Sequence, residues 1–591
     1  MTNLQPPSTS ATVLLTLATI GAFVALARFI RTNQKTEIAT SRGQALGRAV
    51  AFSLLAILAV AVGLRLSGID NRGMTHVEAY VPGLELPADI STPPPRYSLS
   101  DVLMYHFHDE PHPQAYYLLM HAWTRLCGTS LQSIRLPSLI FNVLSIALLF
   151  FLVRRESSTG AGLLAATLMA CHGHQIYWSQ QARMYAMGEF CGLVSTWALL
   201  SLVRGNQRPS IQLLYVLSAW LGVATKIFFW PFLAAQMLLM ACLRDSKGKH
   251  YKTIFRLQAC VVILGTPLWT HALYRARSAP LAGPSAGFAG QFFGLGFLFD
   301  TDSYSLPPVD IPMIPWFVAI ALTVMGVAMA NRKCKAPQGK AQALMPFSTL
   351  AIMSVSTAVF ICGLAVTATS RQPYLFLSAL LPIGALLLPW FQGHVAEILG
   401  SRIAPLLTRN QAMLFLILSV VPFMLLFCVG AVSPILKTRG MITFVPFLLA
   451  AVAIGWSKFL SRPVGVALIV LAFGWPMYRS IEYFNERPEP NAHRQITAQL
   501  MEDLETGDLI FIKKNDWVTT PSLYHLFQEK ERLVAEDWGR VAIAAPKSRI
   551  WVLTYSDIPA PPALLESVST RPIITSHHSR RCLATLYGRL P

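Results

Sequence analysis

The runs AVAFSLLAILAVAVGL at residues 49–64 and LPSLIFNVLSIALLFFLV at residues 136–153 decide the fold class. Apolar runs of this kind recur along the chain and, with their flanks, are long enough for a helix to cross a hydrocarbon core of about 30 Å. Of the 591 residues, 53% are hydrophobic and 13% are charged, whereas soluble proteins carry about 25% charged residues. The sequence therefore predicts an integral, all-α polytopic membrane protein.

Clusters of arginine and lysine recur between the apolar runs and predict the orientation of the chain. Such clusters gather in the cytoplasmic loops of multi-pass proteins. The block 211–243 has basic flanks at both ends and is too long for one span, so it is predicted to be a hairpin with its outer tip near Lys226. Each apolar block between two basic clusters must enter and leave the membrane on the same side. Counting the blocks in this way gives about 13–14 transmembrane helices. The net charge of +19 is thereby explained without a nucleic acid partner.

The chain divides into three predicted regions. Residues 1–48 are interpreted as an N-terminal anchor helix and a cytoplasmic linker, residues 49–485 as the transmembrane domain, and residues 486–591 as a small extracytoplasmic α/β domain. The patterns in this last region predict helices at 493–505 and 521–528 and strands at 507–514, 532–536 and 549–556.

The loop at residues 67–114, called the first loop below, is the candidate catalytic region. It is acidic, and the stretch HFHDEPHPQAYYLLMHAW at residues 106–123 places histidines and carboxylates directly before an apolar aromatic run. The turns predicted to lie on the outer side carry cations, although basic residues normally collect in cytoplasmic loops. These cations are Arg183, Lys226, Arg275, Arg277, Arg371, Lys437 and Arg439. Carboxylates facing cations at a membrane edge suit a reaction in which a hydroxyl loses its proton while a lipid phosphate leaves.

Three ordered motifs give a resemblance to a known family. They are HVEAYVPGL, then DEPHPQAYYLLMHAWTRLCGTSLQSIRLPSLIF, then IYWSQQARMYAM, and KTRGMITFVPFLLAAVAIG follows further on. Together they resemble GT-C glycosyltransferases of the bacterial protein-mannosyltransferase and aminoarabinose-transferase type. The resemblance implies a many-helix membrane fold, a polyprenyl-phosphate-linked sugar donor, an envelope acceptor and a single inverting displacement at the anomeric carbon.

The resemblance also implies the catalytic residues, with one departure. The first acid of the family's acidic pair is here Val77, so Glu78 is the only carboxylate of that motif. We expect Glu78 to act as general base, with His76 assisting or orienting it. In the alternative, Glu78 has only a supporting role, and the enzyme either uses Asp109 or Glu110 or is inactive.

The remaining candidate residues concern the donor phosphate and a metal. Candidate phosphate-binding residues are His112, Arg183, Lys226, Lys437 and Arg439. Arg183 stands in SQQARMY, which places it at a helix start near the outer face. No cofactor is certain. A divalent metal is possible, and its weak candidate ligands are His76, Glu78, Asp109 and His112. The aromatic residues Tyr116, Tyr117 and Trp123 are interpreted as an interfacial anchor rather than a sugar platform.

Three function classes stay open at this point. The favoured one is a transferase in the plasma (inner) membrane with its active site on the extracytoplasmic face. A polytopic lipid or glycan transporter or flippase is the second, and such proteins place ionisable residues near the bilayer midplane. An inactive GT-C-like scaffold is the third, because Val77 replaces the expected acid.

Overall fold

The structure is a computed structural model, and it describes part of the 591-residue chain. Isolated positions within 68–81 and 463–472 are described in addition to the continuous segments. The continuous segments are 41–67, 98–108, 113–243, 251–276, 411–430, 438–460, 492–512, 533–534, 546–555, 568–579 and 582–590.

The membrane part is helical throughout its described residues. Its helices are α1 Ser41–Leu66, α2 Leu99–His108, α3 Ala115–Cys127, α4 Leu131–Glu156, α5 Thr159–Ala170, α6 Gly173–Ser179, α7 Tyr185–Val203, α8 Pro209–Thr225, α9 Phe229–Leu243, α10 Tyr251–Ala276, α11 Gln411–Gly430, a 3-10 helix Thr438–Thr443 and α12 Val445–Trp456.

Three of these helices are long and apolar enough to cross a membrane: α1 over Arg48–Leu66, α4 and α7. The predicted hairpin at 211–243 is confirmed, because α8 ends at Thr225 and α9 begins at Phe229. The turn between them contains Lys226, as the basic flanks predicted. The protein is therefore a predominantly helical membrane protein. The predicted total of 13–14 spans includes segments outside the described residues.

Local sequence explains where several helices begin. The Ser130 hydroxyl accepts the amide N–H of Ser133 at 3.2 Å and caps α4. The Ser158 hydroxyl caps α5 in the same way. Proline at the first position of α8 lacks an amide N–H, and the first helical turn does not need one.

Glycines allow close helix packing at two places. A Cβ on Gly222 of α8 would lie 2.4 Å from ring atoms of Phe229 at the start of α9. A Cβ on Gly162 of α5 would lie 2.9 Å from the carbonyl oxygen of Phe150 in α4. Both distances are too short for any side chain, so these contacts depend on glycine.

The C-terminal part contains a helix and a five-stranded sheet, as the predicted α/β domain requires. Helix α13 is Ala492–Glu502, and the strands are β1 Leu509–Ile512, β2 Leu533–Val534, β3 Ile550–Tyr555, β4 Ile573–Ser579 and β5 Cys582–Tyr587. The strand order is β2-β1-β3-β5-β4, with β1 parallel to both β2 and β3 and the pairs β3–β5 and β4–β5 antiparallel.

The predicted elements of this domain are confirmed where they are described: α13, β1, β2 and β3 all form. The predicted helix at 521–528 lies outside the described residues. The β4–β5 hairpin was not predicted. Its core residues, among them Cys582, Ala584 and Leu586, pack with Ile496 of α13 and Trp551 of β3.

Candidate functional site

The site is organised around the turn between α6 and α7, residues 180–184. Gln180, Gln181, Ala182, Arg183 and Met184 are all buried. This segment is the QQARM of the predicted outer-tip motif SQQARMY, and α7 begins directly after it at Tyr185. The prediction that Arg183 stands at a helix start is confirmed.

Glu78 of the first loop is bound to this turn and to α4. Its Oε1 accepts the guanidinium Nε of Arg135 at 2.8 Å, and its Oε2 accepts the Nη2 of the same arginine at 2.7 Å. The amide N–H of Ala182 donates to Oε1 at 2.9 Å. Both side chains of the ion pair are fully buried. Planar, bidentate pairing of this kind gives strong and geometrically specific hydrogen bonds.

Backbone contacts hold the beginning of the first loop in the same place. The side-chain amide of Gln180 donates to the carbonyl oxygens of Arg65 at 3.0 Å and Ser67 at 2.8 Å. The guanidinium of Arg135 also donates to the carbonyl oxygen of Ile69 at 2.6 Å. Arg65, Ser67, Ile69 and Glu78 are thus held by hydrogen bonds against α4 and the turn that carries Arg183.

Arg183 points toward α3 and is only 3% exposed. Its guanidinium Nη1 donates to the Tyr117 hydroxyl oxygen at 3.0 Å. The Arg183 carbonyl oxygen accepts the Ser138 hydroxyl at 3.0 Å, and that hydroxyl is 3.2 Å from the Tyr116 hydroxyl. The interpretation of Tyr116 and Tyr117 as an interfacial anchor is therefore wrong. Both side chains are fully buried, and their hydroxyls have hydrogen-bond partners inside the helix bundle, as buried tyrosines usually do.

Lys226 lies at the α8–α9 turn and is 2% exposed. Its ammonium donates to the carbonyl oxygen of Gly440 in the 3-10 helix at 3.0 Å. The same ammonium lies 4.6 Å from the centre of the Tyr185 ring and 5.3 Å from the centre of the Phe228 ring. Two aromatic faces and a carbonyl oxygen therefore stabilise the buried charge.

A buried polar network lies among α1, α4, α6 and α7. Arg65, the penultimate residue of α1, donates to the side-chain oxygen of Asn142 at 2.7 Å. The Asn142 amide donates to Gln175 at 2.6 Å and to the carboxylate of Glu189 at 3.1 Å. Arg65 also donates to the carbonyl oxygen of Ala170 at 2.8 Å, and this satisfies one of the last acceptors of α5. Ionisable residues buried in a membrane domain are costly and mark functional regions.

The predicted site residues fall into two groups. Glu78, Arg183 and Lys226 are described, and all three lie on the segments just named. For Arg439 the backbone is described, within the 3-10 helix Thr438–Thr443. The other candidates lie outside the described residues: His76, Asp109, Glu110, His112 and Lys437.

Sequence reasoning missed Arg135, Gln180 and Tyr117 as members of the site. Arg135 lies within RLPS, and Gln180 lies within SQQARMY, two pieces of the quoted motifs. A charged residue between apolar positions of a predicted membrane helix was the signal for Arg135. Tyr117 carried no such signal, because an aromatic residue at a membrane edge is ordinary.

Of the four candidate metal ligands, the structure describes Glu78. Within them, no group of three or more histidine, cysteine, aspartate or glutamate side chains could hold a metal ion. Both oxygens of Glu78 accept hydrogen bonds from the Arg135 guanidinium. That positive charge repels a cation, so Glu78 does not fit the role of metal ligand. The other three candidates lie outside the described residues.

Comparison with known proteins adds one family match. Residues 111–271 match the family model of dolichyl-phosphate-mannose-protein mannosyltransferases. The matched segment contains Tyr117, Arg135, Arg183 and Lys226. The resemblance predicted from the ordered motifs is thereby confirmed. No curated protein sequence matches the chain significantly.

Solved structures of two other proteins are similar to this chain. ArnT from Cupriavidus metallidurans in the apo state has 11% identity and a TM-score of 0.36, covering 91% of this chain and 98% of that chain. The same enzyme bound to undecaprenyl phosphate has 13% identity and a TM-score of 0.36, covering 90% and 97%. The apo oligosaccharyltransferase of Archaeoglobus fulgidus has 11% identity and a TM-score of 0.43, covering 89% and 73%.

The motifs and the family match together support a membrane glycosyltransferase. The described helices agree with this class, because it requires a multi-pass membrane protein. The geometry brings two predicted site residues together, because Glu78 accepts a hydrogen bond from the turn that contains Arg183.

Proposed function

We propose that the protein transfers a sugar from a polyprenyl-phosphate-linked donor to a hydroxyl group of an envelope acceptor. The reaction takes place on the extracytoplasmic side of the plasma membrane. The acceptor is a glycolipid, a polysaccharide or a protein. An outer-loop carboxylate removes the proton of the acceptor hydroxyl, and the oxygen attacks the anomeric carbon with inversion. The bond from that carbon to the phosphate oxygen breaks, and the lipid phosphate leaves with the electron pair.

One observation carries the proposal. Glu78 binds both Arg135 and the amide of Ala182, and this contact joins the acidic first loop to the turn that carries Arg183. One carboxylate of that loop is therefore in direct contact with the turn that carries a candidate phosphate-binding cation. This contact supports a site in which a further carboxylate of the loop accepts the proton and Arg183 provides positive charge for the leaving phosphate.

The contacts of Glu78 favour the supporting role over that of general base. Both oxygens of Glu78 accept hydrogen bonds from a permanently charged guanidinium. A carboxylate bound in this way is stabilised in its charged form, so it accepts a proton poorly. The assignment of Glu78 as general base stays a prediction. In the proposal the base is Asp109 or Glu110, and Glu78 holds the first loop in place.

Arg183 supplies positive charge for the departing phosphate. Its bond to Tyr117 fixes the guanidinium near the start of α3, and residues 109–112 directly precede that helix in the chain. Arginine suits this role, because its planar donors match phosphate oxygens and its charge is permanent.

Transfer of a radiolabelled sugar from a polyprenyl-phosphate donor to envelope acceptor tests the proposal. The purified wild type, Asp109→Asn, Glu110→Gln and Glu78→Gln are compared, and Glu85→Gln is the matched loop control. Loss of the base lowers the rate about 10²–10⁴-fold, so one of the first two variants should show that loss with unchanged folding. Glu85→Gln should transfer normally.

Three outcomes would count against parts of the proposal. Absence of any transfer by the wild type would reject the transferase function. Normal transfer by both Asp109→Asn and Glu110→Gln would reject them as the base. A large loss in Glu78→Gln with an unchanged melting temperature would instead restore Glu78 as the base.

A transporter is the second candidate, and one observation favours it. Arg65 and Glu189 are fully buried within the membrane part and linked through Asn142, and transporters place ionisable residues there. Flipping of a fluorescent polyprenyl-phosphate sugar across proteoliposomes distinguishes the two functions. A transporter flips the lipid without acceptor, whereas the transferase consumes it only when acceptor is present.

A further inference from the structure

The sequence predicts that Lys226 binds the donor phosphate, but its described contacts indicate a role other than direct phosphate binding. Its ammonium lies between the Tyr185 and Phe228 rings and donates to the Gly440 carbonyl oxygen at 3.0 Å. The side chain is buried, at 2% exposure. The partner is 214 positions away in the chain. The ammonium therefore links the α8–α9 turn to a distant segment.

That segment, the 3-10 helix Thr438–Thr443, packs closely against α7 and the α8–α9 turn. A Cβ on Gly440 would lie 3.1 Å from ring atoms of Phe228. A Cβ on Gly192 of α7 would lie 3.3 Å from the side chain of Thr443. These short distances leave little room for the 3-10 helix to shift. The Lys226–Gly440 bond adds a contact from a charged group to this interface.

The 3-10 helix carries Arg439, the residue directly before Gly440. Arg439 is a predicted partner of the donor phosphate. A hydrogen bond to the Gly440 carbonyl fixes the backbone one residue from Arg439, so it sets the place from which that arginine can act. Lysine is suited to the task, because an ammonium can donate in one direction while aromatic faces stabilise it in others.

We infer that Lys226 is a positioning residue that holds the 3-10 helix Thr438–Thr443 so that Arg439 can bind the donor phosphate. This inference rests on the proposed function and names how its donor site is assembled. Lys226 itself does not touch the substrate.

The test measures donor KM and kcat for four variants: Lys226→Met, Arg439→Gln, the double variant, and Lys226→Arg. We expect Lys226→Met to raise donor KM about tenfold, the size of one lost hydrogen bond to a charged group. Arg439→Gln should raise it at least as much. The double variant should be no worse than Arg439→Gln alone, because Lys226 acts only through Arg439. Lys226→Arg should recover part of the loss.

Gly440→Ala provides a second perturbation that keeps the ammonium. Its Cβ would press on the Phe228 ring and shift the 3-10 helix by a few tenths of an ångström. We expect donor KM to rise in this variant as well, with kcat and melting temperature close to wild type.

The outcomes separate this inference from the proposed function. If the wild type transfers no sugar, the proposed function fails. A second outcome is that transfer occurs while the donor KM of the double variant rises by the product of the two single increases. In that case Lys226 acts on the donor independently of Arg439, and the inference is overturned. An unchanged donor KM in Lys226→Met would overturn it as well.

Discussion

Replacing either partner of the buried Glu78–Arg135 ion pair should destabilise the protein strongly. Replacing both together should cost less stability than the two single losses added together. The perturbations are Glu78→Leu, Arg135→Met and the double variant. Neither side chain is exposed to solvent. Each single substitution therefore leaves an uncompensated buried charge, which costs about 3–5 kcal/mol.

The double variant removes both charges but leaves two backbone groups without their partners. These are the Ala182 amide, which donates to Glu78, and the Ile69 carbonyl, which accepts from Arg135. Each unsatisfied group costs about 1–3 kcal/mol. The two single costs sum to roughly 6–10 kcal/mol, whereas the double variant should lose roughly 2–6 kcal/mol. The difference is the coupling energy of the pair.

The assay is the apparent melting temperature in detergent, followed by size-exclusion chromatography after heating. One kcal/mol corresponds to about 2–4 °C in a domain of 150–250 residues and to less in a larger one. We therefore expect each single variant to melt roughly 5 °C or more below wild type, and the double variant to recover part of the loss. Additive shifts, or wild-type melting of either single variant, would refute the argument that this pair holds the first loop.

Two further predictions concern packing and pH. Gly222→Ala should lower the melting temperature markedly, because its Cβ would lie 2.4 Å from the Phe229 ring, while Gly160→Ala, with nothing within 4 Å, should melt like wild type. Burial raises the pKa of Asp508, but the hydrogen bonds from Arg549 and from the Glu505 amide, together with the positive charge of Arg549, outweigh burial and leave that pKa lowered. This contribution to stability is present above the ordinary aspartate pKa of about 3.9 and is lost as the pH falls below it. Hydrogen exchange of β3 in the full chain between pH 3 and 6 should show this loss, and Asp508→Asn should make β3 exchange faster at pH 6 and remove most of the pH dependence.

The sequence alone predicted the parts of the fold that depend on local pattern. Basic flanks and block length predicted the hairpin around Lys226. Both can be read from the local sequence, because charge and hydropathy are properties of each residue and need no knowledge of its distant contacts. The β4–β5 hairpin was missed, since its first strand reads IITSHHS and gives no clear alternation of apolar and polar residues. That strand is at the edge of the sheet, where one side needs no partner and polar residues are tolerated.

The contacts within the site could not be predicted in the same way. Glu78 and Arg135 are 57 positions apart, and Arg183 and Tyr117 are 66 apart. Only helix packing brings these residues together. Motif resemblance identified Glu78 and Arg183 as site residues, but it gave no reason to pair one with α4 and the other with α3. Motif membership thus identified candidate site residues, and the observed partners of Glu78 favour a supporting role for it.

The replacement of the first motif acid by Val77 takes on a specific meaning in this arrangement. The carboxylate that remains is already committed to three hydrogen bonds, two of them from Arg135. Moving it toward a substrate would leave a guanidinium buried without its partner, at a cost of about 3–5 kcal/mol. This cost disfavours Glu78 as a base that reaches the substrate by a small shift. In the proposed function another carboxylate of the first loop is the base, and restoring the acid with Val77→Asp should increase the rate of sugar transfer.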